Sequence, residues 1–257
     1  MGEALLAGLL DAGYDADAIA VAEAHADRRQ ELEARAPGTR VGPSASWAVA
    51  DADVVVVAVK PNDVASVLDS AIDALPAHAC VVSIAAGVTI ADLEAHAPGR
   101  PVVRAMPNTP ALVGRGATAI AAGSLATDDD LASAERLLSH VGTVARVPEH
   151  LLDAVTGLSG SGPAYVFLVV EALTEAGVLN GLPRDLVVDL VTQTLVGSAE
   201  LLLASDEGPE VLRANVTSPG GTTAAGLAAL ERNGVRAAFL EAVTAATERS
   251  RELGRRS

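Results

Sequence analysis

The sequence predicts an α/β domain built on a doubly wound sheet, followed by an all-helical domain. Three observations carry this. β-Branched apolar runs, of which VVVVAV at 54–59 is the strongest, alternate with helix-period segments through residue 148. Most runs end in a turn bearing Gly or Pro before the next helix begins. Beyond 148 the strand-like runs stop, and helix-period segments follow, broken by Gly, Pro and Ser. The 257 residues suffice for two domains of ordinary size, placed at 1–148 and 149–257.

Residues 1–10 put Leu5, Leu6, Leu9 and Leu10 on one helical face, and Gly13 closes that helix. A strand follows at 18–22, then a charged helix at 27–36 ending in Pro37 and Gly38. A short strand at Val41 and a helix at 46–50 lead to 54–59, a run apolar on both faces, as in a buried parallel strand. Lys60-Pro61-Asn62 ends it, and a helix runs from Asp63 to Ala74. The pattern recurs as strand 80–85, turn at Gly87 and helix 89–96, then as strand 102–105 and the loop MPNTPA at 106–111. Strands at 118–122 and 144–147 flank a helix at 128–140. The second domain reads as helices at 151–159, 162–177, 183–204, 209–216 and 222–254, with Pro183 suited to a first helical turn. The segment 186–203 is apolar on more than one face, which predicts burial against another subunit.

Half of the residues are hydrophobic but only 2% are aromatic, so the core is built from Ala, Val and Leu. A net charge of -15 argues against nucleic acid or an anionic membrane as partner. Lys60 is the sole lysine. An acidic, lysine-poor surface fits a halophile's protein, since concentrated salt screens self-repulsion; high genomic GC content gives the same bias. Cys80 is alone, which excludes an internal disulfide and a cysteine metal cluster. The five histidines show no paired spacing, so no metal site is expected. No uninterrupted apolar run approaches the ~18–20 residues of a membrane span, and no signal-like segment opens the chain. A soluble, cytoplasmic protein is expected.

In open α/β sheets ligands lie outside the carboxyl ends of the strands. Those ends are Glu23, then Val59, Lys60 and Pro61, then Ala86 and Gly87, then Met106, Pro107, Asn108 and Thr109. A dinucleotide-binding (Rossmann-like) fold begins with a strand, G-x-G-x-x-G and a helix. Met1-Gly2 looks like the tail of that fingerprint, with Gly2 as its third glycine. The first strand and the first two glycines are absent, so a start codon further upstream is expected. As written, the chain is expected to bind cofactor poorly. Glu23, about 20 residues on, stands where an acid holds the adenosine ribose.

The most distinctive stretch is NVTSPGGTTAAGLAALE at 215–231. Gly220 and Gly221 allow a tight turn and a close ligand approach. Thr222 and Thr223 open a helix, whose free N–H groups suit a carboxylate or phosphate. A second pinch, LSGSGPAY at 158–165, suggests that separate backbone segments converge on something small.

These two stretches, together with AVKP at 58–61, SIAAGV at 83–88 and RAMPNTPA at 104–111, resemble pyrroline-5-carboxylate reductases nearly end to end. The resemblance implies reduction of a cyclic imine, Δ1-pyrroline-5-carboxylate, to L-proline by NADPH or NADH. It also implies a homodimer or larger ring of dimers formed through the helical domain. By resemblance Ser218, Thr222 and Thr223 hold the substrate carboxylate at the Gly220–Gly221 turn, and the Thr223 hydroxyl reaches the imine nitrogen. Asn215 either fixes that loop or contacts substrate. Thr156 is a second candidate contact, unless its hydroxyl bonds its own helix. Lys60 is a cofactor-side group, and Asn108 and Thr109 belong near the nicotinamide. A non-catalytic dimeric binding protein of the same fold is the alternative: the absent fingerprint favours it, and the intact glycine segments oppose it. Glu23 leans towards NADH, whereas Arg28 and Arg29 could serve a 2′-phosphate.

Overall fold

The computed structural model describes residues 1–254. It is an α/β chain with a mostly helical C-terminal part. In order the elements are α1 (Gly2–Asp11), β1 (Ala20–Ala22), α2 (Ala26–Arg35), β2 (Arg40–Gly42), α3 (Ala45–Val49), β3 (Val54–Val57), α4 (Val64–Ala71), β4 (Cys80–Ser83), α5 (Ile90–His96), β5 (Val102–Met106), β6 (Gly116–Ala122), α6 (Asp128–Ser139) and β7 (Gly142–Arg146). Then come α7 (Leu152–Val155), a π-helical turn (Thr156–Gly160), α8 (Gly162–Leu179), α9 (Arg184–Ala204), α10 (Pro209–Asn215), α11 (Thr222–Arg232) and α12 (Val235–Gly254).

The strands form two sheets. β1 pairs with β2 in parallel, and β3-β4-β5-β6-β7 form a second sheet. β3, β4 and β5 run parallel, but β6 is antiparallel to β5 and β7 is parallel to β6. The doubly wound sheet thus carries one reversal, at β6. Only a short 3₁₀ segment, Thr109–Val113, joins β5 to β6, too little for the crossover that parallel neighbours need.

Burial on both faces holds for β4, where all four residues are buried, and for most of β5. It fails for β3, where only Val57 is fully buried. β3 is an edge strand, because no ladder joins it to β1 among the described residues. Side chains alternate across the central strands. Val81 and Val102 pack with Leu68 of α4 and Leu93 of α5, while Val82 and Val103 pack with Leu5 and Leu9 of α1 and Leu138 of α6. Thr89 and Thr127 open α5 and α6 with capping boxes to Asp92 and Asp130.

Cys80 begins β4 at 2% exposure, as its apolar neighbours suggested. Burial pushes its thiol up to about 12. The folded state therefore favours the neutral thiol, and that contribution is complete below the ordinary value of 9.0. It is lost progressively as pH rises from there towards 12. We expect Cys80→Ala to flatten the decline of melting temperature between pH 9 and 11, while a native thiol titration at pH 8 finds the group unreactive. An equal alkaline decline in the variant would assign that decline to other groups.

By compactness the chain divides into Met1–Ser161 together with the chain from Thr244, and a second unit, Gly162–Val243. This differs from a boundary at 148/149. Residues 149–160 are fastened to the first unit by side-chain hydrogen bonds from Arg104, Asn108 and Ser250. In the second unit α8 and α9 form a close hairpin, in which a Cβ on Gly177 would lie 2.7 Å from Val187. Both helices expose large apolar side chains, including Phe167, Leu168, Leu190 and Leu201. By length and composition, the helical stretch 149–179 and α9 could cross a membrane, which corrects the expectation of no such segment. Scattered acidic residues interrupt both stretches, so neither is an unbroken apolar run. The helix expected at 222–254 is two, since Gly234 adopts a left-handed φ of 71° between α11 and α12.

Candidate active site

The residues expected on the cofactor side lie at strand ends of the first unit. Gly2 opens α1, and a Cβ there would lie 2.9 Å from the Cβ of Ala58, so glycine allows the helix to come this close to the end of β3. Met1 offers α1 no side-chain cap, which leaves its first-turn N–H groups to a ligand. Val59 and the exposed Lys60 and Pro61 follow β3. Ala86 and Gly87 follow β4, and Gly87 takes a left-handed φ of 80°.

Glu23 directly follows β1, and its Oε1 accepts from the His25 amide at 2.9 Å. Arg29 braces the same turn, donating to the carbonyls of Glu23 and Ala24 at 2.9 and 2.8 Å. Arg28 pairs with Glu3 and Glu31. Arg28, and Arg35 beside it, hold the Glu3 carboxyl below its usual range. Both arginines proposed for a 2′-phosphate are therefore already engaged.

Met106, Pro107, Asn108 and Thr109 leave the end of β5 as one loop. Asn108 was expected beside the nicotinamide, but its amide is committed within the protein. Its Oδ1 accepts from the Ala117 amide at 2.8 Å. Its Nδ2 donates to the carbonyl and hydroxyl of Ser159 at 3.2 and 3.1 Å. Thr156 begins the π-helical turn, and its hydroxyl donates to the Leu152 carbonyl at 2.8 Å. That is the self-bonding arrangement weighed for it, and it leaves the hydroxyl oxygen able to accept from a ligand.

The residues expected on the substrate side, 215–223, lie in the second unit. The Gly221 amide donates to the Ser218 carbonyl at 3.0 Å, closing a turn whose third residue, Gly220, takes a φ of 68°. Pro219 and a left-handed glycine in these places are the marks of a type II turn. Gly221 then caps α11 without a side-chain hydrogen bond, so the amides of Thr222 and Thr223 remain unsatisfied donors. Among the described residues, no side chain engages the hydroxyls of Ser218, Thr222 or Thr223. An open helix N-terminus beside three available hydroxyls can hold a carboxylate. Asn215 donates to Glu207 at 3.1 Å, which makes it a loop-fixing residue.

A family model described as pyrroline-5-carboxylate reductase dimerisation matches residues 149–253. Another, described as NADP oxidoreductase coenzyme F420-dependent, matches residues 1–87. The pyrroline-5-carboxylate reductase of a Synechocystis strain is 47% identical over 260 residues, covering 100% of this chain and 96% of the relative. The chain belongs to the pyrroline-5-carboxylate reductase family. A solved family member from Coxiella burnetii superposes with a TM-score of 0.93 at 36% identity, covering 98% of this chain and 94% of that one. The Plasmodium falciparum enzyme, solved with NADP bound, gives 0.86 at 33% identity and covers 99% of this chain and 94% of its own. As a member of this family the chain is an NAD(P)-dependent oxidoreductase.

The residues present fit such a nucleotide at separate points. Uncapped amides of α1 suit a pyrophosphate, the Glu23 turn suits a ribose, and the loops after β4 and β5 suit the nicotinamide end. Sequence reasoning overlooked Arg104 and Glu149. Arg104 is buried in β5 and donates to Glu149 Oε1 at 2.9 Å, and the same oxygen accepts from the Ile90 amide at 2.7 Å. A lone charge inside the apolar run PVVRAM was the available signal.

Proposed function

We propose that this chain reduces Δ1-pyrroline-5-carboxylate to L-proline, the last step of proline synthesis, with NAD(P)H as reductant. The observation that carries the reading is the Ser218–Thr223 turn, whose open amides and hydroxyls match a small carboxylate. The bound nicotinamide supplies a hydride to the imine carbon. Ser218, Thr222 and Thr223 hold the carboxylate, and the Thr223 hydroxyl hydrogen-bonds the ring nitrogen. Protonation of the imine makes its carbon the better hydride acceptor, and the iminium forms in solution. The protein's contribution is then orientation, without a strong internal acid. Gly2, Glu23, Lys60 and Gly87 hold the nucleotide together with Met106, Pro107 and Thr109, while the amide of Asn108 stays bonded within the protein. Turnover of NADH or NADPH with pyrroline-5-carboxylate tests the reading. A folded dimer that oxidises neither nucleotide would return the chain to the binding-protein alternative.

The functional division we assign is 1–148 for the nucleotide and 149–257 for substrate and pairing. We place the exposed faces of α8 and α9 against a second copy of the chain, not lipid. The dimerisation family model spans them, and Glu171, Glu175, Asp185, Asp189 and Glu200 interrupt them with charges costly in a bilayer. Leu190→Glu is expected to shift the protein towards monomer in sedimentation; an unchanged dimer would move the interface elsewhere. The reaction belongs in the cytoplasm, where the pyridine nucleotides are. The net charge of -15 with a single lysine supports a protein working in concentrated salt. Melting temperature is expected to rise between 0.1 and 2 M KCl, and a flat profile would leave base composition as the source of the bias.

A further inference from the structure

We infer that Asn108 is a positioning residue for hydride transfer, a strut that sets the loop after β5 against the π-helical turn. The inference rests on the proposed reductase activity, because the loop matters only if the nicotinamide lies beside it. Three hydrogen bonds use both ends of the amide. The Ala117 amide fixes the oxygen, and the carbonyl and hydroxyl of Ser159 fix the nitrogen. Opposite chemistry on the two sides admits only one amide orientation. A second contact joins the same segments, since a Cβ on Gly160 would lie 2.6 Å from Met106 Cε.

The partner turn gives the strut its importance. Thr156–Gly160 is wound with a π-type bond from the Ser161 amide to the Thr156 carbonyl at 2.8 Å. Such turns are rare and cluster at functional sites, because an inserted residue re-aims the backbone. This one stands directly before α8 and persists only if its carbonyls find partners. Asn108 supplies one at Ser159. The amide acts through Ser159, and no direct contact with the nucleotide is needed.

Asn108→Ala, Asn108→Asp and Ser159→Ala in the whole chain separate the roles. Aspartate still accepts from Ala117 but cannot donate to the Ser159 carbonyl. Asn108→Ala and Asn108→Asp are both expected to speed amide exchange across 156–161 by about tenfold or more. Both are expected to lower kcat by about tenfold and change the primary isotope effect from C4-deuterated NADPH. The dissociation constant for NADPH, read by its fluorescence, stays within about twofold, as a residue away from the nucleotide requires. Ser159→Ala loses one acceptor and falls between wild type and Asn108→Ala. Wild-type exchange and kcat in Asn108→Asp would overturn the strut, as would a tenfold weaker NADPH affinity with kcat retained, which marks a direct cofactor contact. Absence of turnover in the wild type would instead remove the reductase reading, while amide exchange still judges the strut.

Discussion

Thr223→Ala is expected to lower kcat/KM for pyrroline-5-carboxylate by about 10- to 100-fold. The hydroxyl is one hydrogen bond to a charged or developing-charge group, worth about 1.5–3 kcal/mol. Among the described residues no side chain competes for it, because Gly221 precedes α11 without a capping interaction and no side chain there engages the Thr223 hydroxyl. The residue lies in the second unit, remote in sequence from every nucleotide-side residue, so the NADPH dissociation constant should hold. Thr223→Ser, which keeps the hydroxyl, should recover most of the loss. Steady-state kinetics with both substrates decide the matter, and an unchanged kcat/KM in the alanine variant would sink the assignment.

The largest expected loss of stability follows from Glu149→Ala. Arg104 keeps only 8% of its side chain exposed, against 34% for Glu149. Removing the carboxylate strands a guanidinium inside the sheet, at a cost of about 3–5 kcal/mol. It also takes the acceptor from the Ile90 amide at the start of α5. Removing the guanidinium leaves a carboxylate that water can reach. Arg104→Met should therefore cost clearly less, although it breaks the same pair. A fall in melting temperature of roughly 10 °C is expected for Glu149→Ala. If Arg104→Met falls as far, desolvation is not what the pair resists.

The turns that carry the candidate site were legible because they are written in backbone-dictated residues. Glycines at 87, 220 and 221, Pro219 and the threonines after them read the same in sequence and in structure, since turn chemistry is local. The alternation of apolar runs likewise gave the order of strands and helices. What sequence could not give was partnership across the fold. The commitment of Asn108 to Ser159, 51 residues away, depends on which loops face each other. So do the engagement of Arg28 by Glu3 and the reversal of β6. The half-open state of β3 followed from its neighbours, not from its four valines. Thr156 was open to two readings because a hydroxyl can serve its own helix or a ligand with equal ease.

The first unit is closed by residues far along the chain. Ser250 donates to Asp153 at 2.7 Å across 97 positions, and Leu253 packs beside Gly87. During synthesis the sheet can form early, yet the unit lacks its final helix until residues 244–254 have left the ribosome. The whole of Gly162–Val243 emerges first, with the apolar faces of α8 and α9 uncovered. If the proposed pairing through α8 and α9 holds, nascent chains on one messenger carry these faces into the open before the first unit is complete. Assembly can accordingly begin on polysomes, and late truncations should poison full-length copies by pairing with them.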